Sequence, residues 1–308
     1  MKGFTLGFQI DLICACNLKC NFCTYNDNSD SWRNGERLSF EKLKDVFDKL
    51  YENPPDIPLE RLQFVGSGEP LLYKQLPEAI SYAKRVFSYV GITTNGVLLT
   101  KEISQKLIDA GTNEISISIT GASPEVYARH QGSGKTFDEV VRQFDLVKQN
   151  IENLCILRNM KKRPLNVLIS TILHEGSKED FVKCLNMWRN MNGGVNMVLF
   201  RTMNGIKSTS VSADSYEEYI SNDLVSSNGF TPSCTMFGKT MQISVNGDLY
   251  ICCALNEQTR IGNIFETDIT EILNSEKFKK MVNAFHCQYR DVPEYCKRCS
   301  MGRSCATF

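Results

Sequence analysis

Cys16, Cys20 and Cys23 lie in the run Cys-Asn-Leu-Lys-Cys-Asn-Phe-Cys. The spacing C-x3-C-x2-C supplies three thiolates from one short loop, whereas a cubane iron–sulfur cluster takes four ligands. A set of three leaves one iron open. An open metal position can bind and activate a small molecule, as it does in a catalytic zinc site. Two other chemistries use cysteines. A zinc site wants a second ligand pair soon after the first, and the next cysteine after Cys23 is Cys155. A disulfide framework belongs to oxidising compartments and usually to shorter chains. Cys14, two residues upstream, reads as the buried end of a strand.

A second cysteine group lies near the C-terminus. Seven of the thirteen cysteines follow residue 233. Cys234 to Cys252 reads C-x12-G-x4-C, with Gly247 as the glycine. Between them, Met241–Ile251 alternates, turns at Asn246-Gly247 and alternates again, which is a hairpin signal. The hairpin would bring Cys252 back towards Cys234. Cys296-Lys-Arg-Cys299 adds a C-x2-C pair, so a four-thiolate site is available. Such a site suits an iron–sulfur cluster or structural zinc. Cys305, Cys287 and Cys253 are spare candidates. Cys155 and Cys184 read as core thiols. His130, His174 and His286 form no pattern with other ligands.

The elements that must position these residues alternate between strand and helix. Candidate strands are Gly7–Ile13, Leu62–Val65, Tyr89–Thr93, Glu114–Ile119, Leu165–Ile172 and Val195–Phe200. Helical spacing of apolar residues marks Phe40–Leu50, Leu76–Phe87, Ile103–Ala110, Phe137–Asn150 and Lys178–Met191. Six such units predict a parallel sheet with right-handed crossovers. A closed eight-stranded barrel needs about 200–250 residues. The stretch to residue 202 therefore predicts a partial (β/α)6 barrel of the TIM type. Residues 203–233 read as a linker with one acidic helical stretch near Asp214–Ile220. Residues 234–308 read as a small cysteine-rich domain with a β-hairpin and an amphipathic helix around Ile269–Val282.

In such barrels the chemistry collects on the loops after the strands. Gly66-Ser67-Gly68-Glu69-Pro70 follows the second strand. Its glycines let backbone approach a ligand, and its carboxylate could receive an ammonium group. Thr93-Thr94-Asn95-Gly96 ends the third strand. Alternation puts Ser116, Ser118 and Thr120 on one face of the fourth, and buried hydroxyls want partners.

Composition narrows the class. Hydrophobic residues make up 42% and charged residues 23%, within the globular range. A formal net charge of +0 argues against a broad nucleic-acid face, and so against a zinc-stabilised RNA-binding protein. No signal peptide and no apolar run long enough to span a membrane is found. Many cysteines without a secretion signal predict a reducing, cytoplasmic setting.

Taken together, the first cysteine loop, Gly-Ser-Gly-Glu-Pro, Thr-Asn-Gly and the C-terminal cysteines resemble the radical S-adenosylmethionine (radical SAM) superfamily. The C-terminal part resembles the auxiliary-cluster domains called SPASM and twitch. The resemblance implies a SAM-binding 4Fe-4S cluster on Cys16, Cys20 and Cys23. It places Phe22 beside the SAM adenine. Gly68 and Glu69 would hold the amino group, and Asn95 would face the pocket. Ser118 would contact the carboxylate or ribose, and Arg129 would pair with the carboxylate. Many relatives carry Asp where this chain has Thr120.

The resemblance also implies one auxiliary 4Fe-4S cluster on Cys234, Cys252, Cys296 and Cys299, since two ligands of a full SPASM set are absent after Cys305. The implied activity is reductive cleavage of SAM to a 5′-deoxyadenosyl radical and hydrogen abstraction from a substrate carbon. The auxiliary cluster would assist a net oxidation, and a flavodoxin or ferredoxin would act as reductant. A barrel that starts within about ten residues of Met1 leaves no fused leader-binding domain. That favours a small molecule, such as a sugar or aminocyclitol. The alternatives are a peptide- or protein-modifying maturase and a non-enzymatic iron–sulfur electron carrier.

Overall fold

The computed structural model describes residues 5–23, 35–173, 183–184, 186–188, 190–202, 240–252 and 257–286. The first part alternates strand and helix. Its elements are β1 (Leu6–Ile10), α1 (Phe40–Glu52), β2 (Leu59–Phe64), α2 (Leu76–Ala83), β3 (Tyr89–Thr94) and α3 (Lys101–Asp109). Then come β4 (Glu114–Ser118), α4 (Pro124–Gln131), α5 (Phe137–Lys161), β5 (Asn166–Leu173) and β6 (Met197–Thr202). The C-terminal part adds β7 (Thr240–Ile243), β8 (Asp248–Tyr250), β9 (Arg260–Asn263), α6 (Ile269–Asn274) and α7 (Glu276–His286). Among the described residues, no helix is long and apolar enough to cross a membrane.

One sheet holds all nine strands in the order β6-β5-β4-β3-β2-β1-β7-β8-β9. Strands β1 to β6 pair in sequence order and in parallel. The order is linear, with β6 and β9 at its two ends, so the barrel is partial, as expected from six units. Local sequence sets the helix starts. Ser39, Thr100, Ser123 and Thr136 each accept a first-turn N–H, and Thr136 with Glu139 completes a capping box.

The two faces of the sheet differ in chemistry. Phe8, Ile10, Leu62, Phe64, Val90, Ile92, Ile115 and Ile117 are at most 1% exposed and meet the helix layer. There Phe8 and Phe47 both pack edge-on against Phe87, with centroids 5.8 and 6.0 Å away. Each fully buried side chain of this kind contributes about 1.5–3 kcal/mol. The alternate positions carry Gln9, Gln63, Thr93, Glu114, Ser116 and Ser170, so the inner face is polar. Gln63 donates to Thr93 Oγ1 at 3.2 Å and to Glu114 at 3.4 Å, and Arg61 pairs with Glu114 at 2.7 Å. Gly91 makes room for this layer. A Cβ there would stand 2.3 Å from Gln63 Oε1.

Several elements depart from expectation. β1 leaves the sheet after Ile10 rather than Ile13. Asp11 still donates its N–H to Ile243 O at 2.9 Å, and Ile13 makes only an isolated bridge with Arg37. α2 stops at Ala83 rather than Phe87, and α5 runs eleven residues past Asn150 to Lys161. It ends in a left-handed Lys162, φ 51°, because Pro164 follows and no breaker precedes it. α4 was not expected. Ser123-Pro124 starts it, with proline at the tolerated first turn. Of the expected helix Lys178–Met191, the described residues 183–184 and 186–188 are helical, whereas Asn190 and Met191 already lie in a turn and a bend. The expected linker 203–233 and the start of the second domain at Cys234 lie outside the described residues.

The C-terminal hairpin is continuous with the barrel sheet. β7 pairs in parallel with β1, matching Phe8 to Met241 and Gln9 to Gln242. Met241 and Ile243 join the same core. The turn falls at Asn246-Gly247, as expected. Gly247 has φ 83°, and a Cβ there would meet Phe265 at 2.4 Å.

Candidate functional site

Parallel strands bring the loops after β1, β2, β3 and β4 to one end of the sheet. The cysteine loop leaves β1 there. Cys14 is 5% exposed, and burial, with the nearby Asp11 and Glu36, pushes its thiol up to about 11. Its sulfur is thus packed into the buried interior, unlike those of the cysteines that follow. Cys16, Cys20 and Cys23 are half-buried. Leu18 N–H donates to Cys16 Sγ at 3.4 Å, and Cys23 N–H donates to Cys20 O at 3.2 Å. Among the described residues, no three His, Cys, Asp or Glu side chains are drawn together as a ready metal-binding group.

The loop docks on the end of α4. Asn21 donates its backbone N–H to His130 O at 3.0 Å and its side-chain amide to Arg129 O. The Phe22 ring lies 6.4 Å from the His130 imidazole, tilted by 48°. The Arg129 side chain is exposed, and its carbonyl is what meets the cysteine loop. His130, given no role in the sequence, is thus a neighbour of Phe22. Nothing in its spacing signals this, because the contact depends on where α4 docks.

The glycine-rich loop after β2 presses against the same cysteine loop. A Cβ on Gly68 would stand 2.1 Å from Ile13 O and 2.4 Å from Ala15 O, so only glycine fits. Glu69 N–H donates to Ala15 O at 2.8 Å. The Glu69 carboxylate is 2% exposed. It accepts from Thr94 Oγ1 at 2.6 Å, Asn95 N at 2.8 Å and Leu71 N at 3.1 Å. Burial pushes its carboxyl up, and these three donors oppose the shift.

Asn95 links this clamp to the cysteines. Its side-chain amide donates to Asn17 Oδ1 at 2.7 Å and reaches Cys16 Sγ at 3.8 Å, while Oδ1 accepts from Val97 N at 3.0 Å. Glu69, Asn95 and Cys16 therefore form one hydrogen-bonded chain across three loops. At the end of β4, Ser118 is half-buried. Gln131 of α4 donates to Ser118 O at 3.0 Å and accepts Thr120 N–H at 2.6 Å. Thr120 Oγ1 is fully buried and has no hydrogen-bond partner among the described residues. Cys252 is half-buried just beyond β8. Cys234, Cys253, Cys287, Cys296, Cys299 and Cys305 lie outside the described residues.

Sequence reasoning missed Asp11. It is 1% exposed at the mouth of the sheet and accepts from Ser67 Oγ at 2.8 Å and from the Gln242 side-chain amide. Burial pushes its carboxyl up to about 7. Gly66, at φ 143°, leaves it room, since a Cβ there would overlap Asp11 Oδ1 at 1.8 Å. The available signal was an acidic residue inside the apolar run Ile10-Asp11-Leu12.

The donor set fits an iron–sulfur cluster with a bound small molecule. Three half-exposed thiols share one loop. N–H donors already face Cys16 sulfur, and such bonds tune cluster potentials. The orphaned Thr120 hydroxyl awaits a polar partner at the same end of the sheet.

Comparison with known proteins agrees with this chemistry. A family model described as the radical SAM superfamily matches residues 10–187, more than half of the chain. One described as an iron–sulfur cluster-binding domain, SPASM, matches residues 234–300. Among curated proteins, the chain is 33% identical over 139 residues to mycofactocin maturase MftC of Mycolicibacterium smegmatis, covering 44% of this chain and 32% of that one. It is 31% identical over 129 residues to a probable GTP 3′,8-cyclase of Methanococcus maripaludis, covering 42% and 41%. The matched stretches thus span less than half the length of these relatives. Among solved structures, anSMEcpe with bound AdoMet superposes with a TM-score of 0.64 at 18% identity, covering 97% of this chain and 88% of that chain. SuiB of Streptococcus suis bound to S-adenosylmethionine gives 0.62 at 16% identity, covering 98% and 72%. These likenesses describe the fold. The chain belongs to the radical SAM superfamily and carries a SPASM iron–sulfur domain.

Proposed function

We propose that this radical SAM enzyme modifies a side chain of a peptide substrate, with net oxidation assisted by an auxiliary cluster. The observation that carries the substrate class is the identity to mycofactocin maturase and, at 32% over 130 residues, to PqqA peptide cyclase of Bradyrhizobium diazoefficiens. The chain's likeness to GTP 3′,8-cyclases favours the second reading, a small-molecule substrate.

When bound, the cluster and SAM supply a 5′-deoxyadenosyl radical that removes a hydrogen atom from a substrate carbon. The residues of this chain do the holding. Cys16, Cys20 and Cys23 ligate the cluster and leave one iron for SAM. The Glu69 backbone N–H holds the glycine-rich loop to Ala15 of the cysteine loop, while its carboxylate orders Thr94, Asn95 and Leu71, the chain around the place of the SAM amino group. Asn95, through its contact with Cys16, carries that order to the cluster. Phe22 flanks the adenine, Ser118 and Thr120 meet the SAM polar groups, and Arg129 reaches the carboxylate. Cys234, Cys252, Cys296 and Cys299 hold the auxiliary cluster, with Cys305 the spare, in a domain spanning 234–308 after the barrel of 1–202 and the linker 203–233. A cytoplasmic setting with a flavodoxin or ferredoxin reductant suits oxygen-sensitive thiolate clusters.

The test is anaerobic turnover with SAM and dithionite, first with candidate precursor peptides and then with sugars and aminocyclitols. A peptide that loses two hydrogens while 5′-deoxyadenosine forms supports the first reading. Consumption of a small molecule instead supports the second.

A further inference from the structure

Asp11 stands where three segments meet. It is the first residue past β1, which ends at Ile10. Ser67 reaches it from the glycine-rich loop, donating Oγ–H to Oδ2 at 2.8 Å. Gln242 reaches it from β7, donating its side-chain amide to Oδ1. All three side chains are at most 5% exposed. Gly66 closes the joint from the side, since any larger residue there would overlap the carboxylate. The backbone follows the same route. Val65 N–H donates to Ile10 O at 3.1 Å, and Asp11 N–H donates to Ile243 O at 2.9 Å.

A buried carboxyl costs several kcal/mol of solvation unless its partners compensate. Here the partners belong to different functional parts. Ser67 lies beside Gly68 and Glu69, which press on the cysteine loop, and Gln242 opens the hairpin that leads to Cys252. The other ionisable groups nearby are the Cys14 thiol and the Tyr250 phenol, both pushed up by burial. Neither offers a positive charge. The carboxyl is therefore held by Ser67 and Gln242, and moving either one strands it.

We infer that Asp11 is a positioning residue through which the C-terminal hairpin sets the glycine-rich loop, so that the SPASM domain and SAM affinity are coupled. The inference rests on the proposed placing of SAM beside Gly68 and Glu69. Coupling of this kind is reciprocal, and its usual size is about 5–150-fold in affinity.

The experiment measures SAM affinity of the anaerobically reconstituted protein by equilibrium dialysis. Gln242→Leu should weaken SAM binding about tenfold. Arg260→Gln breaks the hairpin's Asp248–Arg260 ion pair, 2.6 Å long and outside the Asp11–Ser67–Gln242 hydrogen bonds, and should leave affinity within about twofold of wild type. In Asp11→Asn, adding Gln242→Leu should cost far less than it does in the wild type, because the two changes share one joint. From the other side, Ser67→Ala should speed amide hydrogen exchange at Met241–Ile243, a readout that needs neither metal nor SAM. If Gln242→Leu binds SAM as wild type does, or loses no more than Arg260→Gln, the coupling is overturned. Unchanged exchange at β7 in Ser67→Ala overturns it too. A wild-type protein with full cluster that binds no SAM overturns the reading beneath it.

Discussion

The Glu69 carboxylate accepts the backbone N–H of Asn95 at 2.8 Å, and the Asn95 side chain in turn reaches Cys16 Sγ at 3.8 Å. Two loops that differ in sequence position by a whole β/α unit are thereby fixed against the cysteine loop. Glu69→Gln places an amide against Thr94, Asn95 and Leu71, which all donate, so one donor is left facing a donor. The expected cost is about 1–3 kcal/mol of stability, with weaker SAM binding. Chemical denaturation and dialysis check both. A variant with wild-type stability would show that the carboxylate is not needed as an acceptor.

Gly68→Ala tests the close approach of backbone to backbone. A Cβ 2.1 Å from Ile13 O cannot be absorbed by a rotamer change. The cysteine loop must move, and iron content after reconstitution should fall by more than half. Gly134→Ala is the control. Its φ is 78° but nothing lies within 4 Å, so only backbone strain of about 1 kcal/mol is expected and iron loading should be unchanged.

Asp11 gives stability a pH dependence of defined sign. Its carboxyl is pushed up to about 7 in the folded protein, against an ordinary value near 3.8. Between those pH values the folded state holds a proton that the unfolded state has released. Stability from this group is therefore full below about pH 4 and is lost as pH rises to about 7. The limit of the effect is about 4 kcal/mol. Asp11→Asn removes it, so its stability relative to wild type should improve between pH 4 and pH 8. Urea unfolding across that range reads the difference. A pH-independent difference would contradict the assignment.

Much of this architecture could be read from local pattern. Asn246-Gly247 announced the hairpin, Ser-Ile-Ser-Ile-Thr announced a strand with a polar face, and the loops bearing Gly66, Gly68 and Gly96 sit at strand ends. What escaped reading depends on distant pairing. Gln242 meets Asp11 across 231 residues, and β7 joins β1 because the edge of a six-stranded parallel sheet needs a partner. No local period encodes that. Helix α4 escaped because eight residues with few apolar positions carry little periodicity, and with it went the neighbours His130 and Gln131. The carboxylate of Glu69 read as a ligand group. In the fold its acceptors serve Thr94, Asn95 and Leu71, because a buried charge is stable only where donors surround it.

Cysteines outside the loop should separate from those within it. Cys155 is wholly buried, and burial pushes its thiol up to about 11, so Cys155→Ala should retain full iron and lose about 1–2 kcal/mol of packing. Cys252→Ala should lower iron by about four per chain if it holds the auxiliary cluster. Iron and sulfide analysis of the two variants side by side makes the comparison.

The most direct test is anaerobic incubation of wild type and Cys20→Ala with SAM and dithionite, with iron counted per chain. The account predicts about eight irons and 5′-deoxyadenosine from the wild type. It predicts about four irons and no 5′-deoxyadenosine from Cys20→Ala. Equal 5′-deoxyadenosine from both proteins, or none from a wild type carrying both clusters with substrate present, would contradict it.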